Sequence, residues 1–506
     1  MRALRQSLLS LVGIGLLAGA GTAHGGSGFD ISQLPNLGDA SSQIFSPREE
    51  ARIGKDIVRQ IRDAGLMLED PDVEEYIQSV GQHLAAHSSR PGEHYRFFIM
   101  RSDGINAFAL PGGYIGINAG LILAADTEAE LAGVMAHEIA HVTQRHIARQ
   151  MDAMRGSGLA TVGAMIAAVL VASQTGNSDA AMAGALSAQA LQMQRQINYT
   201  RAHEYEADRV GIRILTEAGF DPQGMVRFFE KLHRQTQHTA GAAMPEYLRT
   251  HPLTSSRITE ARNRADEADG EHRDSSRRFY LIRERINAQM AARGQRELVR
   301  LNPARSPLEL DFTHQLERYQ QALVHQFRSR HEQAAHIFSQ LANASPDIIS
   351  YHLGWAENLV SQDKMEEAQE VYERAARLFP NNETLMESYA RSLLDMNEIG
   401  AALKVLERLV ERPGVQPRHH RLMARAHSEM GRQAESHYHM AGFHLEQGNI
   451  FAALTQMQLA FAQPQIDPRA ERRFEQRMAQ LRREWEMLPQ EVRRAQDPRP
   501  RNPERD

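Results

Sequence analysis

At 506 residues the chain is too long for one hydrophobic core, so we expect two or three domains. Its net charge of -5 gives no basic footprint of the kind that nucleic-acid binding needs, which excludes nucleic acid as a partner class. The chain contains no cysteine, and this excludes disulfide bonds and a lipid-modified cysteine.

The first 25 residues are typical of a secretory signal peptide. Arg2 and Arg5 precede an uncharged run rich in Leu, Gly and Ala, and that run ends in small residues. The run is shorter than the ~20 residues that a spanning helix needs, so we favour export over a permanent N-terminal anchor. We therefore expect a periplasmic protein, with residues 26–44 as a linker before the folded part.

The first folded element is expected at FSPREEARIG. Ser46 is a suitable N-cap there, and Glu49 completes a capping box. A second helix is expected at residues 73–86 and a strand at residues 94–100.

NAFALPGGYIGINAGLI, residues 106–122, predicts a β-hairpin around its Pro-Gly-Gly turn. The second strand has little bulk on one face. A strand that is lean and open at an edge could accept an extended peptide as an added strand, while a simple structural hairpin would explain the same residues. Both interpretations stay open at this point.

AHEIAHVTQRH has the pattern of a metal-binding helix. Because residues four apart lie on one helix face, His137 and His141 could hold one cation between their imidazoles. Glu138 lies close enough to take a proton from a water molecule at such a site. His146 is five residues beyond His141, and this spacing turns it away, so we expect it on the surface.

A third ligand is expected in RAHEYEADRVG, because a catalytic zinc needs three protein ligands and an open position. Glu204 could be that ligand, with Asp208 accepting the free N–H of a ligating histidine. His203 could bind in place of Glu204, and Glu206 is expected to point away.

Residues 156–178 contain no charge. A transmembrane helix is the obvious alternative, but the apolar part is short and rich in Gly and Ala. We favour a mobile or interfacial helical insertion, residues 156–193, near the site, and its contact with a membrane stays open.

The C-terminal part of the chain repeats itself. Ala334, Ala368 and Ala402 are 34 residues apart, and each is followed four residues later by a large apolar residue. This period is typical of tetratricopeptide repeats, which stack into a solenoid suited to partner docking. We expect about four repeats within residues 310–490 and a disordered tail at 491–506.

HEIAH followed by EYEAD resembles the membrane-linked gluzincin metallopeptidases, the family of HtpX, the Oma peptidase and the CAAX prenyl endopeptidase. NAFALPGGYIGINAGLI is similar to the strand before the zinc helix of that family, and RTHPLTSSRI is similar to its His-Pro motif. The order of signal peptide, protease domain and repeats resembles, more narrowly, periplasmic members that act in outer-membrane protein assembly. The likeness departs where HtpX and the CAAX enzyme have spanning helices.

The resemblance implies a mainly α protein. An α+β zincin-like metalloprotease domain with a small β-sheet would occupy residues 45–305, followed by the α-solenoid of repeats. One Zn2+ per chain would be bound by His137, His141 and Glu204, with Glu138 as the base.

We also expect Asp208 and His251 to contribute to catalysis. Pro252 disfavours a helical residue before it, so His251 should lie in a loop, which the family match places near the cleft. Three roles are open for His251. It could stabilise the oxyanion, it could fill the open fourth metal position and keep the enzyme inactive until the loop moves, or it could be an ordinary surface histidine. We favour the second role.

The resulting hypothesis is a periplasmic zinc endopeptidase, with chaperone-like activity, in outer-membrane protein assembly and quality control. Its clients would be unfolded or misassembled outer-membrane proteins, and the repeats would contact the assembly machinery, with peripheral membrane association left open. The alternative is a non-enzymatic repeat-containing chaperone or adaptor with a closed structural metal site. We also expect removal of the chain from about residue 310 to leave a folded protease.

Overall fold

The computed structural model describes residues 46–153, 201–238, 245–268, 270–294, 297–298, 310–412, 415–464, 466–488 and 490–497. The expected signal peptide, linker and uncharged insertion lie outside these ranges. Within them, every helix is too short or too polar to cross a membrane.

The N-terminal part combines helices with a small sheet. Its elements are α1 (Pro47–Asp63), α2 (Pro71–Ala86), β1 (Arg96–Met100), β2 (Ala107–Leu110), a 3-10 turn (Pro111–Gly113), β3 (Tyr114–Asn118), α3 (Ala119–Ala124), α4 (Glu128–Thr143), α5 (His146–Ala153), α6 (Arg201–Glu217), α7 (Gln223–His238), α8 (Glu246–Thr250), α9 (Ser255–Asp266) and α10 (Arg277–Ala292).

In its described residues the C-terminal part consists of helices joined by short turns. Its elements are α11 (Leu310–Phe327), α12 (His331–Ala344), α13 (Ile349–Val360), α14 (Met365–Leu378), α15 (Glu383–Asp395), α16 (Ile399–Val410), α17 (Pro417–Glu429), α18 (Gln433–Glu446), α19 (Ile450–Phe461), α20 (Pro468–Met487) and α21 (Gln490–Gln496).

Local capping decides where the first helices begin. The expected capping box of α1 is confirmed, since the Ser46 hydroxyl accepts the Glu49 N–H and the Glu49 carboxylate accepts the Ser46 N–H. Helix α2 begins two residues before the expected start because Asp70 accepts the N–H of Val73 and Pro71 takes the first helical position.

The three strands form a sheet in the order β1-β3-β2, with β1 parallel and β2 antiparallel to β3. The hairpin is confirmed, but β3 is the central strand, so the expectation that its lean face lies at an open edge is wrong. A Cβ on Gly116 would lie 2.4 Å from Cζ of Phe108, its cross-strand partner. The missing side chain thus makes room for Phe108, and β2 is the outer strand beside α4.

Helix α4 is the centre of the N-terminal core and packs on α2, α6, α7 and β2. Its approach to α6 is close, because a Cβ on Gly211 would lie 3.1 Å from the backbone nitrogen of His137. Ala207, one turn earlier on α6, is fully buried. These two small residues bring the face of α6 against the face of α4 that carries the two histidines.

The repeat prediction is confirmed by four helix pairs, α11/α12 to α17/α18, in the described residues. The period alanines Ala334, Ala368 and Ala402 are fully buried. Disorder from residue 491 was expected, but α21 continues to Gln496, whose side-chain oxygen accepts the Ile450 N–H at 2.9 Å. The side chain of Gln496 thus ties α21 to the start of α19.

The N-terminal part and the first repeats share one hydrophobic core, which runs from α2 and α4 through Phe279 and Ile282 of α10 to Phe312, Leu316 and Phe338. The argument that a repeat array contacts mainly its own neighbours is therefore wrong for this chain.

Polar contacts at the start of α2 strengthen the same interface. Arg285 of α10 donates to both carboxylate oxygens of Asp70 at 2.8 and 2.9 Å. Side chains from the repeat array donate hydrogen bonds to the next acidic residues of α2: Ser350 to Asp72, Arg418 to Glu74, and both Asn382 and Thr384 to Glu75. One acidic helix start is thus held by several helices of the repeat array.

Candidate metal centre

Four buried side chains converge at the contact between α4 and α6. His137, His141, Glu204 and His251 each present a ligand atom, and these atoms lie within 4.8 Å of one another. The α-helical spacing places both α4 imidazoles on the side that faces α6, whose first turn supplies Glu204. His251 comes from the loop after α8.

The spacing of these atoms suits a tetrahedral cation. Nε2 of His137 lies 3.0 Å from Nε2 of His141 and 3.3 Å from Nδ1 of His251. Oε1 of Glu204 lies 3.5 Å from Nε2 of His141 and 3.1 Å from Nδ1 of His251. Ligands about 2.0–2.1 Å from a tetrahedral centre are separated by about 3.3–3.4 Å, so the group fits zinc.

The electrostatics of the group favour a cation. Burial and the neighbouring His137 hold the pKa of His141 well below its usual value, which leaves a lone pair on the neutral ring. Burial alone would raise the pKa of Glu204, but His251 and His137 hold it well below its usual value. Burial lowers the pKa of His137, but Asp208 and Glu204 raise it to about 9, which marks a position that binds positive charge.

Glu138 lies beside the group and is not one of its ligands. Its side chain is fully buried, and no side chain among the described residues donates a hydrogen bond to either carboxylate oxygen; the backbone of Ala109 is the one neighbouring donor. Nε2 of His251 lies 3.5 Å from Oε1 of Glu138. Burial raises the pKa of Glu138, although His251 and His137 oppose the effect, so this carboxylate is suited to accept a proton.

Asp208 lies behind His137, where Oδ1 is 3.1 Å from the ring Nδ1. Arg257 donates to both oxygens of Asp208 at 2.7 Å and lies 2.7 Å from Oε2 of Glu204. Sequence reasoning missed Arg257, although it lies in RTHPLTSSRI, because nothing local indicates that this arginine is buried. It fixes two carboxylates and leaves Oε1 of Glu204 facing the group.

The expectation that His146 is a surface residue is wrong, since its ring is fully buried. The spacing argument assumed one continuous helix, but α4 ends at Thr143 and the chain turns at Arg145, whose φ is 51°. Helix α5 then brings His146 back to His141, with their Nδ1 atoms 2.8 Å apart.

The other two candidates lie outside the ligand group. Glu206 contacts Nε2 of His146 at 3.1 Å, and His203 stacks on the His146 ring with centroids 4.4 Å apart.

His251 lies in a loop, as expected before Pro252, with φ −121°. It is 1% exposed, and its ring stacks on Tyr247 at a centroid distance of 4.6 Å. The alternative of an ordinary surface histidine is therefore wrong.

Comparison with known proteins shows which families these features resemble. Residues 71–265 match the family described as Peptidase family M48, and residues 359–426 match the family described as Tetratricopeptide repeat. Over 253 residues the chain is 40% identical to the Escherichia coli protein named beta-barrel assembly-enhancing protease, which covers 50% of this chain and 51% of that protein. The Yersinia pestis protein of the same name is 36% identical over 253 residues, again 50% of this chain and 51% of that protein.

A more distant relative is the Arabidopsis thaliana mitochondrial metalloendopeptidase OMA1, 28% identical over 219 residues, which cover 43% of this chain and 41% of that protein. The matched region spans about half the length of the first relatives, 51% of each. These matches confirm the resemblance to the metallopeptidases and the order of protease part and repeats.

Proposed function

We propose that this chain is a zinc-dependent endopeptidase that cleaves unfolded polypeptides, because residues 71–265 match the family described as Peptidase family M48. We further propose that it acts in the periplasm, in the assembly and quality control of outer-membrane proteins. The names of the relatives, which refer to β-barrel assembly, support this assignment.

One observation carries the enzymatic assignment: the fully buried carboxylate of Glu138, without a side-chain hydrogen bond, beside a complete ligand group. A buried polar group without a partner costs about 1–3 kcal/mol, more when charged. A structural metal site gains nothing from such a group, whereas a protease needs a base at that position. The adaptor alternative has one observation in its favour, because four protein ligands are typical of a closed site.

In the proposed mechanism His137, His141 and Glu204 would hold a zinc ion. When bound, the ion supplies a Lewis acid that polarises a peptide carbonyl and acidifies water. Glu138 takes the proton of the attacking water and returns it to the leaving amine. Asp208 and Arg257 keep the His137 ring and the Glu204 carboxylate in place.

We assign His251 to the fourth position, where its ring closes the group against water until the loop after α8 moves. Its contacts support this role, since Nδ1 is within 3.3 Å of both His137 and Glu204. The four-ligand arrangement is then a closed state of a catalytic site and not a structural site.

The substrate would lie along β2, the outer strand beside α4. The Asn118 N–H donates to the Asn106 carbonyl, so this pair and the pair two residues further along are hydrogen-bonded. The backbone groups of Ala107 and Ala109 therefore face away from β3. An extended peptide could add to this edge next to Glu138. The repeats would bind clients or the assembly machinery with the surfaces that the protease part leaves uncovered.

The test uses the purified full chain with an unfolded polypeptide, with and without a chelator. We expect cleavage by the zinc-loaded protein, its loss with chelator and its return on addition of zinc. If the zinc-loaded protein suppresses aggregation but never cleaves, the adaptor alternative replaces the protease.

A further inference from the structure

A row of contacting polar side chains lies behind the ligand group, on the side of His141. It consists of His141, His146, Glu206 and Arg149, joined by contacts of 2.8, 3.1 and 3.2 Å. We propose that His146 and Glu206 are positioning residues that orient the His141 ring for zinc binding. This inference rests on the proposed metal site.

The direction of hydrogen-bond donation along this row follows from the nitrogen of His141 that faces the ligand group. Nε2 of His141 points at the other ligand atoms, so its lone pair is the one that can bind a cation. The ring proton must then be on Nδ1, which donates to Nδ1 of His146 at 2.8 Å. His146 consequently carries its own proton on Nε2 and donates it to Oε2 of Glu206 at 3.1 Å.

The other α4 histidine, His137, also has a polar partner behind its ring. Nδ1 of His137 lies 3.1 Å from Asp208, and that carboxylate is held by Arg257. Each α4 imidazole is therefore backed by an acidic residue that an arginine fixes. On the His141 side an additional imidazole, His146, fills the gap between ring and carboxylate.

Burial supports a fixed geometry close to the ligand and a looser one further out. The side chains of His141 and His146 are 0% exposed, while Glu206 is 27% and Arg149 is 40% exposed. The orienting effect should therefore be largest for His146 and smaller for Glu206. His203, stacked on the His146 ring, adds a contact that limits rotation of that ring.

The packing of α5 and α6 explains how these polar side chains come together. The turn at Arg145, with positive φ, reverses the chain so that α5 starts with His146 against the ring of His141. Glu206 reaches the same place from α6, one position beyond Tyr205 and two beyond the ligand Glu204. Contacts from α5 and α6 thus fix the orientation of the His141 ring.

The experiment measures the zinc dissociation constant of the full chain by competition with a chelator, together with the thermal melting of the metal-free protein. His146→Leu should weaken zinc binding by about 10- to 100-fold, as removal of a partner behind a ligand typically does. His146→Asn should recover most of this loss, because its side-chain oxygen can accept the His141 proton at the place of Nδ1. Glu206→Leu should cost less than His146→Leu.

A double variant tests whether His146 and Glu206 act on His141 as one coupled row or as two independent contacts. If His146 and Glu206 act through one path, His146→Leu with Glu206→Leu should bind zinc no more weakly than His146→Leu alone. Glu217→Gln, on the exposed end of the same helix, is the matched control and should bind zinc as the parent does.

The inference is overturned if His146→Leu binds zinc like the parent, if Asn rescues nothing, or if the two losses add. A lower melting temperature of the metal-free protein with unchanged zinc affinity would also overturn it, since His146 would then only pack. Absence of zinc binding by the parent protein would instead remove the proposed function itself. The Glu206 variants and His146→Asn keep the test decisive should His146→Leu fail to fold.

Discussion

Nδ1 of His251 lies 3.1 Å from Oε1 of Glu204, although the two residues are 47 positions apart. The loop after α8 and the first turn of α6 therefore share one ligand group. A movement of that loop that withdraws His251 would leave three side chains able to hold a metal ion.

His251→Ala tests whether this loop closes the site. If the closed position is favoured by about 1.4 kcal/mol, removal of the imidazole should raise basal cleavage about ten-fold. The rate is measured with an unfolded polypeptide at matched zinc content, with His314→Ala, an exposed histidine of α11, as control. A lower turnover would assign His251 to the oxyanion instead, and an unchanged rate would remove it from the site.

Three acidic residues of α6 should differ in their effect on metal binding. Glu204→Ala should abolish tight zinc binding because it removes a ligand, and Asp208→Ala should weaken it by about 10- to 100-fold. Glu206→Ala should cost less than Asp208→Ala, since His146 separates it from the ligand ring. Equal losses for Glu204 and Glu206, measured by chelator competition, would show that the ligand is wrongly assigned.

A chain that ends at residue 305 should not form a stable protease. It lacks Phe312, Leu316 and Phe338, which belong to the core shared with α10, and it exposes Phe279. It also lacks Ser350, Asn382, Thr384 and Arg418, the repeat-array residues that hold the acidic start of α2. Soluble yield and thermal melting measure the outcome, and a monomeric fragment that melts like the full chain would contradict the shared core.

Acid should weaken the repeat array through Glu387, whose carboxylate binds Arg418, the residue that also binds Glu74 of α2. Burial alone would raise the pKa of Glu387, but His419 and Arg418 lower it to about 2 from 4.5. Because the folded pKa is the lower one, this carboxylate stabilises the fold above about pH 4.5, and the effect is lost as pH falls towards 2. The contribution at neutral pH is at most roughly 3 kcal/mol.

Urea unfolding at several pH values tests this prediction. Glu387→Gln should be less stable than the parent at pH 7, and the difference should shrink as the pH approaches 2. Glu383→Gln, on the same helix, is the control, because burial raises the pKa of Glu383 despite His419 and Arg418. A difference between parent and Glu387→Gln that stays constant with pH would contradict the assignment.

Local rules predicted the elements that depend on neighbours in sequence. The four-residue spacing of His137 and His141 and the cap at Ser46 follow from the geometry of one helix. The burial of the period alanines follows from the repeat length. The helix spacing and the cap need only a few consecutive residues, and the alanine burial needs only the 34-residue period of the sequence.

What the sequence did not reveal depends on where distant segments meet. The spacing rule failed for His146 because the backbone leaves the helix at Arg145. The role of Arg257 requires α9 to lie against α6, and the central position of β3 depends on its parallel pairing with β1. No local pattern encodes these long-range contacts.

Zinc content and peptide cleavage of Glu138→Gln, measured on one purified sample, test the central claim most directly. The amide cannot accept the proton of the attacking water and is not in the ligand group, so we expect zinc near one per chain and no cleavage. Cleavage at the parent rate, or loss of zinc together with activity, would contradict the role of Glu138 as the base of a zinc endopeptidase.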